Sequence, residues 1–224
     1  MPDVLARHLA DHLRATQAMP ALLPRVEAVA DALVTAFDRG GRLYAFGNGG
    51  SAADAQHLAG ELIGRYRRER RALPAVALSV DPSVMTCIGN DYGFDDVFAR
   101  QVGALAGPGD VVVGFTTSGR SPNVVRGLAA ARDAGATTVL FTGAEGGEAA
   151  AHADHVLAAP SSVTARVQEM HLLMLHLLSE HVDAWAAEGE PTVVDLPPEP
   201  APADTAAGDE REASAGGARG PEAG

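Results

Sequence analysis

The stretch VVVGFTTSGRSPNVVRGLAAARDA, residues 111–134, decides the fold class. Its opening run of valines fits a buried strand. A loop with hydroxyls at Thr116, Thr117, Ser118 and Ser121 follows. Ser121 then reads as an N-cap and Pro122 as a first-turn residue, so a helix is expected over 121–134. A strand feeding a helix through a short loop is half of a parallel βαβ unit. Hydroxyls at a helix N-terminus also make an anion nest, because that end presents free N–H groups. A Ser-rich turn without a ligand is the plainer alternative.

The alternation extends both ways along the chain. Upstream, strands are expected at 43–46 and 75–78, with helices at 51–63, near 83–88 and over 95–105. Downstream come a strand at 138–141, a short helix at 147–152, a short strand at 155–157 and a long apolar helix over about 163–187. Such a pattern implies a parallel sheet covered on both faces, with ligands at the C-terminal strand ends. Two helices precede the first strand. One spans 3–17 with Leu5, Leu9 and Leu13 on one face; the other starts at Pro20 and stops at Gly40-Gly41. Residues 1–40 therefore read as a helical pair for packing or oligomerisation, and 41–187 as the main domain. Residues 188–224 are Pro, Ala, Gly, Glu and Asp for the most part, and are expected to be disordered.

Composition narrows the function classes. The 224 residues carry a formal charge of −12, which repels nucleic acid. The basic run Arg65–Arg71 (RYRRERR) opposes this, but reads more simply as a solvated helix end or loop. No apolar run nears the roughly 20 residues that span a bilayer, and the N-terminus lacks an apolar signal region. A cytoplasmic location is expected, with neither nucleic acid nor membrane as partner. All seventeen basic residues are Arg. Without lysine there is no Schiff base and no P-loop lysine, so phosphate must be held by hydroxyls, backbone N–H groups or Arg. Cys87, the single cysteine, reads as a buried small residue or else as a nucleophile.

A second loop, Gly47-Asn48-Gly49-Gly50-Ser51, joins the first strand to its helix. Glycines there permit positive φ and close approach of a ligand, Gly49 and Gly50 above all, or simply a tight turn capped by Ser51. His57 and Glu61 follow with a spacing of four, on one helix face. Gln168, His171 and His176 lie on the closing helix. Each group alone suits a core histidine or a solvent pair. Together they offer an acid/base pair or a metal cluster, for which imidazole and carboxylate suit Zn²⁺.

Four strings, GNGGSAADAQHLAGELIGRYR, CIGNDYGFDDVFARQV, TTSGRSPNVV and RVQEMHLLMLH, resemble the SIS-domain phosphoheptose isomerases, in consistent order from about residue 5 to 185. The resemblance implies an α/β SIS fold, a flavodoxin-like three-layer sandwich. It implies Glu61 and His176 as the catalytic pair. Asn48, Asn90, Asp91, Thr116, Thr117, Ser118 and Ser121 would contact the sugar phosphate, with Glu61 and Gln168. His57, Glu61, Gln168 and His176 would hold one zinc ion per subunit. A homotetramer with sites at subunit interfaces is also implied. Ala165 stands where some members carry Asp.

The implied reaction converts sedoheptulose 7-phosphate to D-glycero-D-manno-heptose 7-phosphate through an enediol, for nucleotide-activated heptose synthesis. A carboxylate held on zinc is a poorer base, so either one Glu61 oxygen stays free or ion and base are alternative states. Two other readings stand beside this one. One is a non-catalytic SIS protein of the type that binds the bacterial replication initiator, which lacks the glutamate and second histidine. The other is isomerisation of another sugar phosphate.

Overall fold

The computed structural model describes residues 2–188. The expected tail, apart from Glu188, lies outside the described residues. The chain opens with helix α1 (Pro2–Ala18), a 3₁₀ turn (Met19–Leu22) and α2 (Leu23–Asp38). Pro20 falls in the 3₁₀ turn, and Pro24 takes the first-turn role expected of it. Then come β1 (Leu43–Gly47), α3 (Gly50–Ile63), β2 (Ala75–Ala77) and α4 (Pro82–Asp91). The helix expected over 95–105 is split into a 3₁₀ turn (Phe94–Asp96) and α5 (Ala99–Leu105), because Val97 and Phe98 between them are drawn into the core. The chain continues as β3 (Val111–Phe115), α6 (Pro122–Asp133), β4 (Thr137–Thr142), β5 (His155–Ala158) and α7 (Thr164–Ala186).

The five strands are all parallel and ordered β2-β1-β3-β4-β5. Side chains alternate across the sheet, so each strand feeds two cores. Leu43, Ala45, Val111, Val113, Phe115, Val139 and Phe141 face α2, α3 and α7. Tyr44, Phe46, Val112 and Leu140 face α4, α5 and α6. Burial on both faces explains why these strands read as continuous apolar runs. The buried face of α2 belongs to the first core, so this helix is part of the sandwich rather than an appendage.

Two local expectations are corrected. Cys87 is exposed, with its thiol 3.6 Å from Asp91 Oδ2. The turn of α4 sends Ile88 inward instead, since neighbours on a helix lie about 100° apart. The Arg65–Arg71 run is not merely solvated. Arg70 is buried against a fully buried Asp183 of α7, with Nε 3.0 Å from Oδ1.

Candidate active site

The strand order reverses between β1 and β3, which are neighbours in the sheet although β2 lies between them in sequence. That reversal is the topological switch point where open α/β sheets bind ligands. The glycine loop leaves β1 and the hydroxyl loop leaves β3, so both open onto this crevice. Reciprocal amide bonds tie the two loops. Asn48 Nδ2 donates to Asn123 Oδ1 at 2.8 Å, and Asn123 Nδ2 donates back to Asn48 Oδ1 at 2.9 Å.

In the glycine loop, Gly49 has φ +57° and is the N-cap of α3, so Ser51 lies inside the first turn and is not the cap. A Cβ on Gly50 would stand 2.3 Å from Gln168 Nε2, so the side chain of Gln168 closes on bare backbone. In the hydroxyl loop, Ser121 caps α6 by position but makes no side-chain capping bond. Its Oγ lies 3.3 Å from Thr116 Oγ1, which also accepts Gly119 N–H at 3.2 Å. Ser118 Oγ accepts Arg120 N–H at 3.2 Å, and Arg120 itself reaches out to Glu145 at 2.7 Å. Gly119, at φ +66°, passes so close to Gly146 that a Cβ would meet its carbonyl at 1.9 Å. The loop is thereby braced from behind by the turn after β4. Asn90 and Asp91 sit exposed at the end of α4, where Asn90 Nδ2 donates to Asp91 Oδ1 at 2.7 Å. Among the described residues neither bonds to the two loops.

The helices α3 and α7 carry the titratable groups. His57 Nε2 lies 2.9 Å from Glu61 Oε1 and 3.4 Å from His176 Nε2. The His57 and His176 rings meet edge-on, 5.1 Å between centroids. One ligand atom from each of His57, Glu61 and His176 lies within 4.8 Å of the other two. Two imidazoles and a carboxylate fit a borderline divalent ion such as Zn²⁺, whose catalytic sites take three protein ligands and keep a position open. Gln168 stands eight residues before His176, about 12 Å of helix rise, at the glycine-loop end of the same face. Burial lowers the His176 pKa, helped by His57 and opposed by Glu61.

His171 does not join them. It is fully buried, edge-on to Phe115 and Phe141, and its Nε2 donates to the Thr142 carbonyl at 3.1 Å. Burial pulls its pKa down to about 4.

Four residues escaped the sequence reading. Asn123 was hidden in an ordinary helix start, and only its distant partner reveals it. Asp54 lies one turn before His57 on the same helix, a spacing that was legible. Among the described residues its buried Oδ2 has no partner, and burial raises its pKa to about 6 against a lowering by His57. Tyr66 lies against His176, and Arg70 braces the last turn of α3.

This fold and site define an SIS-domain protein, and the SIS domain family matches residues 7–143. The phosphoheptose isomerase of Aquifex aeolicus is 53% identical over 160 residues, 71% of this chain and 84% of that protein. That of Trichlorobacter lovleyi is 50% identical over 184 residues, covering 82% and 94%. The solved phosphoheptose isomerase of Neisseria gonorrhoeae superposes with a TM-score of 0.77 at 41% identity, covering 82% of this chain and 98% of that one. The chain belongs to the phosphoheptose isomerase family and is an enzyme of the isomerase class.

Proposed function

We propose that the chain interconverts sedoheptulose 7-phosphate and D-glycero-D-manno-heptose 7-phosphate, supplying nucleotide-activated heptose synthesis. One observation carries the reading: Glu61 and His176, from helices far apart in sequence, converge with His57 where α3 packs on α7. An aldose–ketose shift needs one group to move a carbon-bound proton and another to serve the oxygens. Glu61 takes the proton between C1 and C2, and His176 exchanges protons with O1 and O2 through the enediol.

The phosphate lies at the hydroxyl loop, held by Thr116, Thr117, Ser118 and Ser121 and by N–H groups at the start of α6. Asn48, Gly49, Gly50 and Gln168 border the sugar, with Asn90 and Asp91 as further contacts. His57, Glu61 and His176, with Gln168 as the further candidate, hold a zinc ion. When bound, it supplies Lewis-acid polarisation of the carbonyl and of the enediolate charge.

The enzyme acts as a homotetramer in the cytoplasm, with α1 of the 1–40 helical pair serving assembly while α2 packs into the SIS domain that 41–187 complete. Among the described residues no helix is long and apolar enough to cross a membrane. Incubation of the purified protein with sedoheptulose 7-phosphate, followed by NMR, tests the reading. New aldose signals support it, and an unchanged ketose spectrum refutes it.

A further inference from the structure

The basic run after α3 is built into the site. The Asp183 carboxylate accepts the backbone N–H of Arg67 at 3.1 Å and of Arg68 at 2.6 Å, besides Arg70 Nε at 3.0 Å. Arg70 Nη1 donates to the carbonyls of Leu62, Gly64 and Arg71, at 2.7, 3.1 and 2.9 Å. Its Nη2 donates to the Glu61 carbonyl at 2.5 Å. Arg68 adds a bond to Glu180 at 2.7 Å. One buried ion pair thus joins three parts: the turn of α3 that carries Glu61, the segment 64–71, and α7 two turns beyond His176.

Tyr66 is the residue this clamp delivers. Its ring centroid lies 5.6 Å from that of His176, with the planes tilted by 31°. It is half-buried, and among the described residues its hydroxyl has no hydrogen-bond partner. The His57 ring also meets His176, edge-on. The imidazole of His176 is therefore confined by two rings, one on its own helix partner and one on the clamped segment.

We propose that Tyr66 is a positioning residue for His176, pressed onto the imidazole by the Arg70–Asp183 clamp, and that its ring rather than its hydroxyl performs this role. The proposal rests on the isomerase reading above. Orientation of an acid/base group acts on the chemical step, because misplacement raises the barrier without removing ground-state contacts to substrate.

The test compares wild type, Tyr66→Phe and Tyr66→Leu with sedoheptulose 7-phosphate, and follows the His176 ring by NMR on histidine-labelled protein. Its resonance is assigned by its loss in His176→Gln. Tyr66→Phe is expected to keep kcat within about twofold, while Tyr66→Leu lowers kcat at least about tenfold with KM within about threefold. The His176 resonance is expected to shift in Tyr66→Leu and to stay in Tyr66→Phe. An unmoved resonance in Tyr66→Leu, or a Tyr66→Phe variant as impaired as Tyr66→Leu, overturns the proposal. A wild type without turnover refutes the isomerase reading instead, and the resonance still decides the ring contact.

Discussion

At the scale of single residues, the absence of lysine leaves phosphate to hydroxyls, backbone N–H groups or Arg, and the proposed site gives it to the hydroxyl loop. Among the described residues the Ser118 and Ser121 oxygens bond only within their own loop, and Ser121 leaves the first-turn N–H groups of α6 free of its side chain. Ser118→Ala and Ser121→Ala are each expected to weaken binding of a phosphate ester by roughly 1–3 kcal/mol, read by calorimetry. Equal affinity of the double variant and wild type would contradict the assignment. His171 governs a different property. Unfolded, it binds a proton near pH 6.5; folded, only near pH 4. Stability from this group is therefore complete above pH 6.5 and lost as pH falls toward 4, by about 3 kcal/mol. Urea unfolding at neutral and acid pH should show a shallower acid loss for His171→Gln than for wild type. Asp54 works in the opposite sense. Its folded carboxyl, at about 6, holds a proton that the unfolded one releases near 4, so its contribution is present in acid and lost as pH rises through 6. Asp54→Asn should remove that opposing slope.

At the scale of elements, most of the order was legible from residues 111–134 outward. Two-sided burial made the strands uniform apolar runs, and glycine, proline and serine marked their ends. The His57–Glu61 pair was legible too, because helical spacing fixes it. Their meeting with His176 was not readable from spacing, since it depends on how α3 and α7 pack. The RYRRERR run failed for the same reason: its partner Asp183 lies 113 residues further on, inside an apolar helix. Cys87 failed because an apolar neighbourhood in sequence says nothing of which way one turn of a short helix faces. The clamp has a measurable strength. Asp183→Ala leaves the buried Arg70 guanidinium bonded to neutral carbonyls but without its counter-charge, and removing one partner of a buried pair costs about 3–5 kcal/mol. Thermal and urea unfolding should show that loss, and a wild-type midpoint would mean that Arg70 has another sufficient partner.

At the scale of the whole molecule, α1 displays Leu5, Leu9 and Leu13 at 76%, 59% and 52% exposure. Three leucines four residues apart form one apolar stripe with no cover from the described residues. Placed in a helical core shared between copies, this stripe accounts for the proposed tetramer. Leu13→Asp should then dissociate the assembly in sedimentation, because a buried charge is costly, and activity should fall with it. A wild type that sediments as a fully active monomer would refute both tetramer and shared site. The central claim concerns Glu61, and one comparison tests it most directly. Conversion of sedoheptulose 7-phosphate and its binding are measured side by side for wild type and Glu61→Gln. The account predicts that the variant loses turnover yet binds substrate within about tenfold of wild type, roughly 1.4 kcal/mol. A Glu61→Gln enzyme with near-normal kcat would contradict it.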